Sequence, residues 1–488
     1  MTSRATLLAQ ALVIDGSGAP PVVGDVLVLG DRILAVGPDL PTRLPAGLSM
    51  ADIDRIDCSG LALAPGFIDV HTHDDAIVLN APEMTPKLSQ GVTTVITGNC
   101  GLSVAPYVVD EPPGALTLLG RSFAYPTMAA YASAVAQAAP AVNVASLIGH
   151  STLRYACMDD LSRPADPRQL EAMCALLDRC MQDGAIGLSS GLFYAEAMPA
   201  RADEVAALAR VVARHHGVYT THLRSEMADI LDAMREASDT AFDAGVPLVV
   251  SHHKCAGPAN WGRTRETLPL IDRLSARQDI AMDVYPYVAG STVLREDLVD
   301  GVIDVLVSWS APHPEMTGRL LAAIADEWGV TQREACLRLI PGGACYFQMH
   351  EDDVRRVLAH PRSMVGSDGL PHDRHPHPRL WGAFPRVLGR YARDERLFTL
   401  EQAVHKMTGL SARRFRLRER GEIRAGWFAD LVVFDPARVR DRATYEAPIQ
   451  RCEGIERVYV NGQLALTAAA GSCLNRAGRM LLRASAGA

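Results

Sequence analysis

Between residues 66 and 369 the sequence repeats one alternation eight times: a short apolar run of strand character, followed by a longer stretch. The runs are GFIDVHTH (66–73), TTVITGNC (93–100), AVNVASLIGH (141–150), GAIGLSSG (184–191), VYTTHLR (218–224), PLVVSHHK (247–254), IAMDVYPY (280–287) and SMVGSDG (363–369). Segments such as PRQLEAMCALLDRCMQ and RADEVAALARVVARHH between them carry helical periodicity. Strands separated by helices pair in parallel, and eight such units predict an α/β fold with a (β/α)8 TIM barrel. The seventh and eighth runs are too far apart for one crossover. The excess, residues 288–350, reads as an inserted, lid-like subdomain over the barrel mouth.

The two ends differ from this middle. Residues 1–64 hold β runs broken by Gly and Pro (ALVID, VVGDVLVLG, RILAVG), and residues 418–488 hold LVVFDP and VYVNGQLA, with an Asn-Gly hairpin signal. They predict a discontinuous β-sandwich domain built from 1–64 and 418–488, flanking a catalytic barrel over 65–417. ATLLAQALVI runs into the turn residues DGSG and reads as the first strand of a hairpin rather than a secretory leader. A chain of 488 residues, 48% hydrophobic and 21% charged, has ample material for a large core, which excludes disorder. A net charge of −8 without a Lys/Arg block argues against nucleic acid or an anionic membrane as partner. No apolar run approaches the ~18 residues of a membrane span. Ten scattered cysteines without a C-x-x-C pair suit reduced thiols and a cytoplasmic location.

Several runs end in a metal-capable residue, where a barrel carries its active site. The first ends in His71 and His73, two residues apart and so on one side of an extended chain. Others end in Cys100, His222, His252 and Asp368. Four imidazoles, a thiolate and a carboxylate suit Zn2+ better than Mg or Ca. An H-x-H pair alone is weak evidence, and the convergence of six residues carries the reading.

GFIDVHTHDD resembles the opening signature of the amidohydrolase superfamily. GVTTVITGNCG, SHHKCAGPANWGRTRETL, YPYVAGST and GSDGLPHDRHPHPRLWGAFPRVLGRY resemble the N-acyl-D-amino-acid deacylases (D-aminoacylases) over nearly the full chain. The resemblance implies a tight zinc site at His222, His252 and Cys100, and a weaker one at His71 and His73, with Cys100 bridging if both are filled. It leaves open whether one or two metals are needed. It also implies hydrolysis of N-acyl-D-amino acids, small-molecule substrates, to a carboxylate and a free D-amino acid, and it alone supplies the D configuration.

In that chemistry a metal-activated water is the nucleophile, with Asp368 as general base and then acid. Tyr194 is a candidate hydrogen-bond donor to the developing oxyanion, against a reading as a rim aromatic. Lys254 shares the inward face of His252, Arg379 offers a bidentate fork, and Tyr285 and Ser291 offer hydroxyls; the resemblance supports all four as contacts of the substrate carboxylate. Arg295 could receive an acidic side chain, but Glu296 and Asp297 follow at once and could neutralise it. Neutral, apolar side chains are therefore expected, with D-Glu or D-Asp as the alternative. His253 alternates away from the site, His150 either supports a ligand or serves packing, and His372, His375 and His377 could gate or order the site. A cyclic amidohydrolase would favour a bridging carboxylated Lys, which GAIGLSSGLFY lacks, and a non-catalytic scaffold would have lost ligands. The oligomeric state is not legible.

Overall fold

The computed structural model describes residues 4–42, 44 and 48–483. Its centre is a parallel barrel of strands β1 (Phe67–Asp69), β2 (Val92–Thr97), β3 (Asn143–Gly149), β4 (Gly187–Gly191), β5 (Val218–His222), β6 (Leu248–Val250), β7 (Ile280–Val284) and β8 (Ser363–Val365). They are hydrogen-bonded in sequence order from β1 to β8, and an isolated bridge between Thr72 and Gly369 brings the last back to the first. Seven strands fall within the expected runs and β2 starts one residue before its own, so the sequence alternation is the fold. Helices Pro167–Gln182 and Ala202–Arg214 lie where their periodicity placed them; the first starts on a capping box between Asp166 and Gln169.

The strand residues alternate between two environments. Ile68, Ile96, Ala145, Leu147, Val218, Val249, Ala281 and Met364 fill the barrel interior, and Leu410, Phe415 and Leu417 plug one end. Each of the larger of these side chains contributes about 2 kcal/mol on burial. That packed floor leaves the other end, beyond the C-termini of the strands, for polar groups.

Strands from both termini meet in one eight-stranded sheet, where Leu431–Phe434 pairs antiparallel with Ala62–Pro65. A bulge between Leu8 and Ala11, with Gln10 at φ 58°, lets Ala5–Val13 pair with Ile53–Asp57 and then with Ala62–Pro65 along one edge. The sheet accordingly divides around separate apolar clusters, Leu7, Leu27, Leu40 and Ile53 in one and Leu8, Val26, Ile33, Leu63 and Leu431 in the other. Asn461 and Gly462, at φ 47° and 74°, make the hairpin turn their sequence signals. The chain then returns to the barrel, with Arg479 and Leu481 bonded to Val144.

The segment after β7 forms its own small unit. Strands Gly290–Val293, Val305–Ser310 and Gly342–Tyr346 make an antiparallel sheet, packed with helices Leu321–Trp328 and Gln332–Leu339 around Leu294, Val305, Leu321 and Tyr346. No helix among the described residues is long and apolar enough to cross a membrane.

Candidate active site

The six residues expected as ligands converge at the barrel mouth. Among the described residues, His71, His73, Cys100 and Asp368 form one group whose donor atoms lie within 4.8 Å of one another, and Cys100, His222 and His252 form a second. Cys100 belongs to both. Its Sγ lies 3.2 Å from His71 Nε2 and 3.3 Å from His252 Nε2, and His73 Nε2 is 3.2 Å from Asp368 Oδ1.

The strands stop short of most of these residues. β1 ends at Asp69, β2 at Thr97, β6 at Val250 and β8 at Val365; only His222 closes its strand. Cys100, His252 and Asp368 sit at φ 54°, 34° and 50°, in the left-handed region that non-glycine residues seldom adopt. The backbone thus turns inward just past each strand to aim the side chain, and strained residues of this kind cluster at functional sites.

The donors fit a soft divalent metal. Buried His73 Nδ1 and both ring nitrogens of buried His222 have no hydrogen-bond partner among the described residues. Burial opposes ionisation of the Cys100 thiol, but His71 and His252 outweigh it and hold the group well below its usual range, favouring the thiolate that binds metal. Burial likewise opposes the Asp368 carboxylate, yet Arg379, His71 and His73 keep it well below the ordinary range.

Two carboxylates that the sequence reading missed orient the imidazoles. Asp283, on β7, lies 3.2 Å from His71 Nδ1 and accepts the His252 N–H at 2.9 Å. Glu226 lies 3.0 Å from His252 Nδ1, 3.6 Å from His222 Nε2 and 2.6 Å from Lys254 Nζ. Such outer carboxylates fix the ring and tautomer of metal-ligating histidines. A signal existed for each: Asp283 is the one charged residue in IAMDV, and Glu226 lies four residues past His222.

A narrow cleft opens onto this centre, lined by His73, Tyr194, His222, His252, Lys254, Tyr285, Ser291 and Asp368 among others. Arg379 is not itself a lining residue; it lies fully buried behind them, with Nη1 2.9 Å from Asp368 Oδ2 and the guanidinium 4.5 Å from the Tyr285 ring. Its Nε, like Ser291 Oγ, has no hydrogen-bond partner among the described residues. His377 accepts the Arg379 N–H on Nδ1 and faces the Ala289 carbonyl through Nε2, so it orders the Arg379 loop. Tyr194 packs its ring 5.4 Å from that of His222. Arg295 is not among the lining residues: it forks onto Asp297 at 3.0 and 2.6 Å and lies over the Phe193 ring.

The remaining histidines sort by contact. His253 bonds Thr267 on the far face, and His150 pairs with Glu204 beside Arg154, away from the metal-capable groups. His375 meets the Tyr445 carbonyl, and His372 lines a groove beside Gly120.

Comparison with known proteins agrees with this geometry. The amidohydrolase family model matches residues 54–309 and 335–465. A D-aminoacylase of Alcaligenes xylosoxydans xylosoxydans is 51% identical over 93% of each chain. A solved D-aminoacylase superimposes with a TM-score of 0.94 at 49% identity, covering 98% of this chain and 99% of its own. An N-acyl-D-glutamate deacylase of Bordetella bronchiseptica, solved with zinc and a phosphonate mimic of the tetrahedral intermediate, gives 0.93 at 43% identity with the same coverage. The chain therefore belongs to the amidohydrolase family, and within it to the N-acyl-D-amino-acid deacylases.

Proposed function

We propose that the protein is a zinc-dependent deacylase that hydrolyses N-acyl-D-amino acids with neutral, apolar side chains. The observation that carries this is the shared cysteine: one thiolate between two groups of imidazoles at a cleft, with a buried arginine behind the lining whose Nε has no hydrogen-bond partner among the described residues. His222, His252 and Cys100 would hold the tighter zinc and His71, His73 and Asp368 a weaker one. Bound there, zinc supplies Lewis-acid polarisation of the amide carbonyl and an acidified water.

The chain's own groups do the rest. Lys254, Tyr285, Ser291 and Arg379 bind the substrate carboxylate and fix the amide over the centre. Asp368 takes a proton from water as its oxygen bonds to the acyl carbon, then returns one to nitrogen as the C–N bond breaks. Tyr194 donates to the carbonyl oxygen as charge develops on it. Leu118, Phe193, Met227, Leu298 and Leu370 add apolar lining beside Glu226, Thr292 and Gln348, no Lys or Arg other than Lys254 lines the cleft among the described residues, and Asp297 neutralises Arg295, which together support a neutral side chain. The alternative, an acidic D-side chain, draws support from the similarity to the N-acyl-D-glutamate deacylase and from Arg295 standing over Phe193 at the cleft wall.

We further propose a division into a discontinuous β domain (1–64, 418–488), a barrel (65–417) and the subdomain 288–350, and a cytoplasmic setting, which the ten free thiols support. The function is tested by titrating zinc into chelated protein against hydrolysis of N-acetyl-D-leucine. Turnover should reach its maximum with the first equivalent. Turnover that ignores zinc would overturn the reading.

A further inference from the structure

Seven junctions of the barrel are strand ladders, whereas the eighth, between β8 and β1, has no ladder among the described residues, just the bridge from Thr72 to Gly369 and the Asp368 N–H bonded to the His71 carbonyl at 2.8 Å. This weakest seam is also where the site is most demanding, because Asp368 comes from one side of it and His71 and His73 from the other. The backbones nearly touch there: a Cβ on Gly366 would stand 2.4 Å from His71 Cβ.

Lys87, on the short helix Thr85–Leu88, is fully withdrawn from solvent at this seam. Its Nζ donates to Asp69 Oδ2 at 2.7 Å and to Ser367 Oγ at 2.8 Å, and lies 3.3 Å from Asp74 Oδ2. Asp69 in turn accepts the Ser367 N–H at 2.8 Å, and Ser367 Oγ accepts the Gly369 N–H at 3.2 Å. Asp69 stands two residues before His71, Asp74 directly follows His73, and Ser367 directly precedes Asp368. One buried ammonium therefore grips the chain on both sides of the seam, next to each of these three residues. A buried charge is tolerated only while its partners stay in place, so the contact resists sliding in a way that apolar packing does not.

We propose that Lys87 is a positioning residue that fastens β8 to β1 in place of a strand ladder and so sets Asp368 against His71 and His73. The consequence for metal rests on reading those three as ligands: the His71/His73/Asp368 half of the centre depends on Lys87, and the Cys100/His222/His252 half does not.

The test compares the wild type with Lys87→Met and with the double variant Lys87→Met/Asp69→Asn, which avoids leaving the Asp69 charge unpaired. In metal-free protein, amide exchange at Ser367, Asp368 and Gly369 should quicken about tenfold or more, with β3 and β4 unchanged. Zinc competition against a chromophoric chelator should then show the weaker site loosened about tenfold and the tighter one unaltered. Exchange that rises throughout the barrel, or is unchanged at 367–369, would overturn the proposal, as would equal weakening of both sites. Local quickening with unaltered zinc binding would keep the fastening role and overturn the ligand assignment of His71 and His73 instead.

Discussion

The Arg379 guanidinium stands 2.9 Å from the Asp368 carboxylate, in a site where Arg379 is wholly buried. One cation thus serves two tasks. It keeps the Asp368 carboxylate ionised and in place, and it retains an Nε without a hydrogen-bond partner among the described residues, which the proposed function assigns to a substrate carboxylate. Tyr285 lies against its face and His377 orders its backbone, so the fork is held before substrate arrives.

Replacing Arg379 should therefore damage both constants. Arg379→Met is expected to lower kcat/KM by at least ~10²-fold, through a higher KM and a lower kcat, because a buried charge loses its partner. Lys254→Met should act mainly on KM. Steady-state kinetics on N-acetyl-D-leucine checks this, and an unchanged KM in both variants would remove them from carboxylate binding.

Asp368→Asn keeps the shape but not the proton acceptor. The fold and the metal at Cys100, His222 and His252 should persist, while kcat falls by ~10²-fold or more. Near-normal turnover in a metal-quantified sample would contradict the role given to Asp368.

Asp283 should matter to metal more than to fold. With His71 Nδ1 at 3.2 Å and the His252 N–H at 2.9 Å, it steadies ligands from two strands at once. Asp283→Asn is expected to weaken zinc ~10–100-fold in competition with a chelator, with circular dichroism unaltered.

An acid-dependent part of stability lies away from the site. Burial opposes ionisation of Glu204, but His150 and Arg154 lower its pKa from 4.5 to about 2. Because the folded pKa is depressed, the contribution is present above about 4.5 and is lost as pH falls towards 2. Glu204→Gln should cost on the order of 3 kcal/mol at neutral pH and progressively less below pH 4.5, as read by urea melts across that range.

The parts legible in the sequence share one property: their signal is local. The eight strands show as apolar runs, and His71, Cys100, His222, His252 and Asp368 mark where those runs end. The parts that escaped are defined by long-range contacts. Lys87 reaches Ser367 across 280 residues, and the spacing of Glu226 from His222 gains its meaning when His252 and Lys254 fold against it. His150 could not be assigned until Glu204 was seen to hold it in a structural pair. The left-handed turns at Cys100, His252 and Asp368 were hidden for a different reason, since only Asp among these tolerates such a conformation well enough to hint at it.

Amine release from N-acetyl-Leu, -Met, -Phe, -Glu and -Asp in both configurations, on protein of known zinc content, decides between these substrates. Turnover of the D-Leu, D-Met and D-Phe compounds is expected, with weaker or no release from D-Glu and D-Asp, and none from any L compound. Turnover of D-Glu or D-Asp alone would contradict the neutral cleft and put Arg295 in contact with substrate. Absence of release across the panel with zinc bound would contradict the deacylase mechanism itself.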